Sequence, residues 1–390
     1  MRLEKFLTTT EHLERAKEKI EVLWAKGVDF SREEVASAKE QNRMLLLDMD
    51  FTSDCQLHCY YCDRTPDRFQ QGNREMLTTE DRKNLILQAK ELGARTVEFP
   101  GSGEPMIDEG FWEVIEFVHL NGMTPVIFTS GWHLDDSAID RLYDLGATIF
   151  LKYNSTNPEI NDDIVMVKGY GEYVDKVLKK LVAKGLSGSV PTRLAIDLVM
   201  TPRNEDLEDV ANIFRWCREN NVHNYISTLI PEGIADRKSK LFEKNRAYSF
   251  VKHLAKIDQE EFGLQYEPVL PMAGGYRCRQ VNVGLFVNLY GEVYDCNGLG
   301  RFLGHIRVNS LKDIWNSRYA RHVRDKEQDG HCAVRERVWD ETQLKGFDRK
   351  LEDYYLWEKV NGSDPILLSG LRKRENPNEL ITVEDLNEVK

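Results

Sequence analysis

The chain is expected to fold as an α/β protein, a partial (βα)6 barrel followed by a small α+β domain. Three observations predict this. From Met44 onward, short apolar runs alternate with amphipathic stretches of helical period, the pattern of a parallel sheet covered by helices. Glycines fall where those helices should end. At the proline- and glycine-rich stretch from Pro268 to Gly275 this alternation stops, and a β-hairpin pattern replaces it.

Residues 1–43 read as an N-terminal helical cap. Polar helices are expected over 11–25 and 32–40, the second opened by the capping box Ser31-x-x-Glu34. Leu13, Ile20, Leu23 and Trp24 form their apolar stripe. Residues 44–267 supply the barrel, with strands near 44–50, 95–100, 125–130, 147–152, 194–200 and 223–229. Helices are expected near 79–92, 109–121, 137–144, 171–184 and 206–220. Thr78-x-x-Asp81 starts the first of them, and Gly93, Gly122, Gly146 and Gly185 stand at C-cap positions.

Residues 268–335 form the second domain. Residues 285–294 alternate around Gly291 as a hairpin, and after Leu303-Gly304-His305-Ile306 a helix opens at Ser310 and runs to Trp315. Residues 336–390 carry many charges with scattered Trp339, Phe347, Tyr354, Tyr355, Leu356 and Trp357, and read as a helix plus an extended tail closing over the barrel mouth.

Composition narrows the function. At 390 residues and 41% apolar the chain can bury a large core. A formal net charge of −12 and a pI near 5.4 argue against a broad grip on nucleic-acid phosphates. No apolar run approaches the ~20 residues of a membrane span, and the first ten residues lack a secretory core, so a cytoplasmic protein is expected. Of seven cysteines six lie in two groups, which suits metal binding in a reducing compartment better than a disulfide framework.

The first group is Cys55-x3-Cys59-x2-Cys62, within Asp54-Cys55-Gln56-Leu57-His58-Cys59-Tyr60-Tyr61-Cys62. Three thiols in so short a loop have few uses besides metal ligation. Structural zinc usually closes four ligands in two separated pairs, and only three stand here. A [4Fe–4S] cluster held by three thiolates keeps one iron open to a substrate or cofactor.

This loop, with Tyr61 before its last cysteine, resembles the signature of the radical S-adenosylmethionine (SAM) enzymes. The resemblance implies that Cys55, Cys59 and Cys62 bind a catalytic cluster whose open iron chelates SAM, and that an electron then splits SAM into methionine and a 5′-deoxyadenosyl radical. Gly101-Ser102-Gly103-Glu104-Pro105, one βα unit later, is similar to the family's Gly-Gly-Glu-Pro motif, which holds the SAM amino group. Ser102 stands where the family has a second glycine.

Further strand ends supply Thr129, Ser130, Lys152, Asn154 and Asp197, which by position reach the SAM carboxylate and ribose or the substrate. Each is otherwise a turn residue or a helix N-cap. Leu229 and Ile230 line an adenine pocket or pack in the core. Cys217, the one cysteine outside the two groups, reads as a small buried hydrophobe; the rival role is the hydrogen-donating thiol of a radical epimerase.

The second group is Cys278-x12-Gly291-x4-Cys296, followed by Cys332. With the downstream Gly-x-Ile and Ile-Trp elements it resembles the auxiliary-cluster extension called SPASM, or its shorter twitch form. The resemblance implies a second [4Fe–4S] cluster on Cys278, Cys296 and Cys332. Its fourth ligand is His331, a carboxylate, or nothing. The expected activity is oxidation or rearrangement of a hydroxylated small molecule such as a sugar, aminocyclitol or nucleotide, with a flavodoxin or ferredoxin as reductant. The alternatives are a peptide or protein maturase working with a recognition partner, an epimerase, and a non-enzymatic electron-transfer protein.

Overall fold

The structure, a computed structural model, describes residues 10–28, 30–62, 75–229, 244–270, 272–298, 300–326 and 357–375. Among the described residues nine strands form one sheet: β1 Leu46–Met49, β2 Thr96–Phe99, β3 Thr124–Thr129, β4 Thr148–Lys152, β5 Leu194–Met200, β6 His223–Thr228, β7 Gly284–Val287, β8 Glu292–Tyr294 and β9 Phe302–His305. Their order is β6-β5-β4-β3-β2-β1-β7-β8-β9. The six expected strands are all present and pair in parallel with their sequence neighbours, so each crossover carries a covering helix.

Strand alternation sorts the side chains onto two faces. Leu47, Met49, Val97, Phe99, Ile127, Ile149, Leu151, Ile196 and Leu198 point toward the helices and build the large core. Val126, Phe150 and Ala195 point the other way, into the barrel lumen, where they meet Trp24, Met272 and Tyr276. The helices follow their local signals. Ser31 makes the expected capping box opening helix Arg32–Glu40, and Thr78, the expected start of helix Thr79–Glu91, makes one as well.

Helices Lys244–Ile257 and Arg318–Lys326 are additions to the expected set, and three further parts differ from the expectation. The first helix stops at Glu18 and not near residue 25: Lys19 is extended, a short 3-10 turn Ile20–Leu23 follows, and Trp24 enters the bottom of the barrel. There it meets Tyr276 edge-on, and the Arg279 guanidinium lies over its ring. A large indole gains more by closing the lumen than by extending a polar surface helix. An unexpected helix, Pro158–Val165, opens on Asn157, whose side chain accepts from Glu159 N, with Pro158 in its first turn.

The third difference is the C-terminal segment. Helix Pro365–Glu375 lies on β9, and a Cβ on Gly370 would stand 2.8 Å from the Cα of Gly304. Two facing glycines allow that approach, Leu367 and Leu371 are buried beside it, and this part of the tail covers the second domain, not the barrel mouth. Trp339, Phe347, Tyr354, Tyr355 and Leu356 lie outside the described residues.

The sheet passes without a break from barrel to second domain, because β7 pairs in parallel with β1 (Leu46↔Gly284) before the hairpin to β8. Gly291, at φ +87°, makes that hairpin's turn. The stretch before it lies along the last barrel strand, with Ala273 N donating to Ile226 O.

One buried ion pair ties the outer helices to this stretch. Arg218, on helix Leu207–Glu219, donates two hydrogen bonds to Asp258 and one to Gly274 O, with both charged side chains essentially inaccessible. Asp258→Ala leaves a buried guanidinium without its counter-charge and is expected to cost about 3–5 kcal/mol. Urea unfolding should show a lower midpoint at unchanged slope.

Candidate active site

The cysteine loop leaves the carboxyl end of β1 and rests on the unexpected helix Pro158–Val165. His58 N donates to Val165 O and Tyr60 N to Ile164 O, so the helix's last carbonyls, which lack intrahelical partners, hold the loop. Buried Leu57 anchors its middle, and Cys55, Cys59 and Cys62 are half-buried. Burial, with Cys62 nearby as the next cause, pushes the Cys59 thiol up to about 12. In the metal-free chain it is therefore a thiol, and ligation must displace a proton. Among the described residues no three His, Cys, Asp or Glu side chains converge to hold a single metal ion. A cube of four irons, unlike one ion, takes each thiolate at a different corner.

The turn after β2 is packed directly against this loop. A Cβ on Gly103 would stand 2.3 Å from Asp54 O, and Glu104 N donates to that same carbonyl. Gly101 has φ +77°. Ser102 uses its departure from glycine: its N–H and its hydroxyl both donate to buried Asp50 at the end of β1. The carboxylate of Glu104 is fully engaged inside the chain. It accepts from Thr129 Oγ1 at 2.7 Å, Ser130 N at 2.8 Å and Ser130 Oγ at 2.6 Å. Glu104 thus splints the turn to the end of β3, and Ser130, bonded also by Gln56 Nε2, is part of that splint.

Asn154 is placed differently. Its backbone is pinned on both sides, N donating to Asn161 Oδ1 and O accepting from Asn204 Nδ2, yet neither polar atom of its wholly buried side chain has a partner. Orphaned buried amide atoms are uncommon, and one at the end of β4 beside the cysteine loop fits a ligand's hydroxyl or carboxylate. Lys152 donates to Asp197 at 2.9 Å and lies over the Tyr61 ring, so the predicted Tyr61, Asp197 and Lys152 come together. Leu229 is buried; Ile230 lies outside the described residues. Cys217 is fully buried on the helix side of the sheet, and burial pushes its thiol up. A thiol there faces away from the lumen.

Two lumen carboxylates escaped the sequence reading. Asp48 and Glu98 stand side by side in register on β1 and β2, both buried. Burial, then the charge of Asp197, raises Glu98 to about 8; burial, then Glu98, raises Asp48 as well. An unfolded glutamate ionises near pH 4.3, so between there and about pH 8 unfolding releases the proton that folded Glu98 keeps. Stability therefore falls as pH rises through that window. Glu98→Gln removes the share of this dependence that Glu98 carries, while Asp48 keeps its own. Its melting-temperature advantage over the parent should grow from pH 5 to pH 8.

In the second cysteine group, Cys278 lines a cleft with Glu98, Tyr225, Tyr276 and Gln280. Gln280 Nε2 donates to Asp48, so this cleft opens on the lumen carboxylates. Cys296 begins a loop clipped by the buried Arg301–Asp295 pair, at 2.6 Å. Cys332 and His331 lie outside the described residues. No helix among the described residues is long and apolar enough to cross a membrane.

Comparison with known proteins finds two family matches along the chain. The model of the radical SAM superfamily matches residues 49–217, and that of an iron–sulfur cluster-binding domain, SPASM, matches residues 278–334. The chain is 23% identical over 186 residues to a probable GTP 3′,8-cyclase of Methanocaldococcus jannaschii, a match covering 47% of this chain and 59% of that protein. It therefore spans less than two thirds of that relative. A probable GTP 3′,8-cyclase of Methanococcus vannielii is 22% identical over 241 residues, 57% of this chain and 75% of that one. Among solved structures, Streptococcus suis SuiB bound to precursor peptide SuiA shares the fold at a TM-score of 0.57 and 16% identity, over 78% of this chain and 76% of the other.

Proposed function

From a chain that belongs to the radical SAM superfamily and carries a SPASM iron–sulfur domain, we propose an enzyme that oxidises a hydroxylated small molecule inside its barrel. The superfamily's cofactors are SAM and a [4Fe–4S] cluster, and the SPASM domain adds auxiliary iron–sulfur binding. Cys55, Cys59 and Cys62 would hold the first cluster; Cys278, Cys296 and Cys332 would hold the second. When bound, the two clusters supply the electron that splits SAM and an acceptor for the electron released by the substrate.

The observation that carries this reading is that the first cysteine loop, through Tyr61, and Cys278, through the cleft it shares with Glu98, both border a barrel lumen that holds buried carboxylates. Tyr61 and Lys152 lie at its mouth, Glu98 and Asp48 in its wall, and Cys278 on the cleft beyond. Asp197, held by Lys152 and still partly accessible, is the acceptor for a substrate hydroxyl and its proton. Asn154 offers its free donor and acceptor to SAM. Since the Glu104 carboxylate is engaged internally, the backbone carbonyls of residues 101–103 are the acceptors left for the SAM ammonium. Trp24 and Tyr276 close the floor, which favours a small substrate over a long chain threaded through the barrel. Nucleotides, the class named for the two curated relatives, fall within this range. A flavodoxin or ferredoxin in a reducing cytoplasm would supply electrons.

A second reading, modification of a peptide delivered by a partner, is supported by the peptide-bound state of the SuiB structure. The test is anaerobic reconstitution with iron and sulfide, then dithionite, SAM and candidate substrates. A sugar, aminocyclitol or nucleotide should accelerate 5′-deoxyadenosine release and yield a product two hydrogens lighter. Acceleration by peptides alone would sink the small-molecule reading in favour of the second.

A further inference from the structure

Away from the barrel mouth, the outer end of the β1 strand carries a pocket that none of the chemistry above uses. We propose that it binds a phosphate group. The pocket lies between helix Arg32–Glu40 with the turn after it, and helix Arg318–Lys326. Asn42 and Arg43 precede β1 whereas Cys55 follows it, so pocket and cysteine loop are at opposite ends of the barrel. The cavity measures about 170 Å³, against the ~30 Å³ share of one liquid water, and so has room for a tetrahedral oxyanion.

Its centre is Arg324, which is only 6% exposed. The guanidinium carbon lies 3.7 Å from the centre of the Trp315 ring, and Nη2 donates to Asn42 Oδ1 at 2.9 Å. Asn42 is itself fixed: its carbonyl accepts from Trp315 Nε1, and its amide donates to Asn316 Oδ1. The guanidinium is thus locked by stacking on one side and a hydrogen bond on the other. Nη1 is buried with no partner. A buried charged donor without an acceptor is costly, and burial already pulls Arg324 down to about 10.

The groups around it supply what the donor needs. Lys39, Arg43 and Arg321 line the same pocket, with Asp325 the one carboxylate among the described lining residues. Among those described residues, four cations to one anion is a local reversal in a chain of net charge −12. A neutral or cationic occupant has no reason to settle there. A phosphate takes the unpartnered Nη1 of a preoriented arginine and is held by point charges at the rim.

The test is thermal unfolding and calorimetric titration of the full chain with inorganic phosphate, against sodium chloride at matched ionic strength. Phosphate should raise the melting temperature saturably. Arg321→Glu and Arg43→Glu, both at exposed positions that leave folding intact, should weaken phosphate binding about tenfold or more without changing 5′-deoxyadenosine formation. Arg324→Lys, which keeps the charge and loses the fork, should weaken it as well. Equal shifts from phosphate and chloride, or unchanged affinity in the rim variants, would overturn the assignment. So would saturation by citrate with none by phosphate.

Discussion

Cys59→Ala is expected to reduce 5′-deoxyadenosine formation to background and to lower reconstituted iron from about eight to about four per chain. Cys59 is the middle thiol of a loop whose backbone is fixed at His58 and Tyr60 by the carbonyls of Val165 and Ile164. A neighbouring group therefore cannot swing in to replace it. The fold should survive, because the loop's anchors are Leu57 and those two hydrogen bonds, not the thiol. The complementary double variant Cys278→Ala/Cys296→Ala should lose a similar amount of iron. It should still cleave SAM but no longer release the oxidised product. If Cys59→Ala keeps both its iron and its SAM cleavage, the assignment of the first cluster fails; if the double variant still forms product, the role given to the second fails.

Much of this architecture was legible because its signals are local. The six strands and the capping boxes at Ser31 and Thr78 depend on residues within a few positions of each other, and they lie close to where the pattern puts them. The glycines at 93, 122, 146 and 185 likewise all adopt positive φ. Trp24 was not legible in the same way. On a helical wheel it extends the stripe of Leu13, Ile20 and Leu23, yet those residues pack with Leu264 while Trp24 turns into the barrel. Only closure of the lumen, a non-local event, separates them.

The site divides along the same line. Cysteine spacing and the Gly101 to Pro105 turn are short-range patterns, and the structure packs one against the other. Asp48 and Glu98 are each the one acid of a short, largely apolar strand, and sequence cannot tell a lumen-facing acid from a solvent-facing one. Glu104 shows the reverse problem: the motif points to the residue, but its carboxylate is turned inward by Thr129 and Ser130, which lie 25 and 26 residues further along the chain.

Gly103→Ala is the second large effect expected, and it separates positioning from ligation. The added methyl would meet Asp54 O at 2.3 Å and the carbonyl carbon of Ser53 at 2.7 Å, both backbone atoms next to the first ligating cysteine. Neither can rotate away, so the turn and the cysteine loop must move apart. That movement breaks the Glu104 N to Asp54 O hydrogen bond and shifts the carbonyls of residues 101–103. A displacement near 1 Å at a reacting centre costs on the order of 100-fold in rate, and SAM cleavage should fall by at least that much. Iron content should stay near the parent value, because no thiol is removed. Ser102→Gly, by contrast, removes one hydrogen bond to Asp50 while keeping the backbone N–H donor, and a loss of less than about tenfold is expected. If Gly103→Ala cleaves SAM at the parent rate, the contact between turn and loop is not what orients the cofactor.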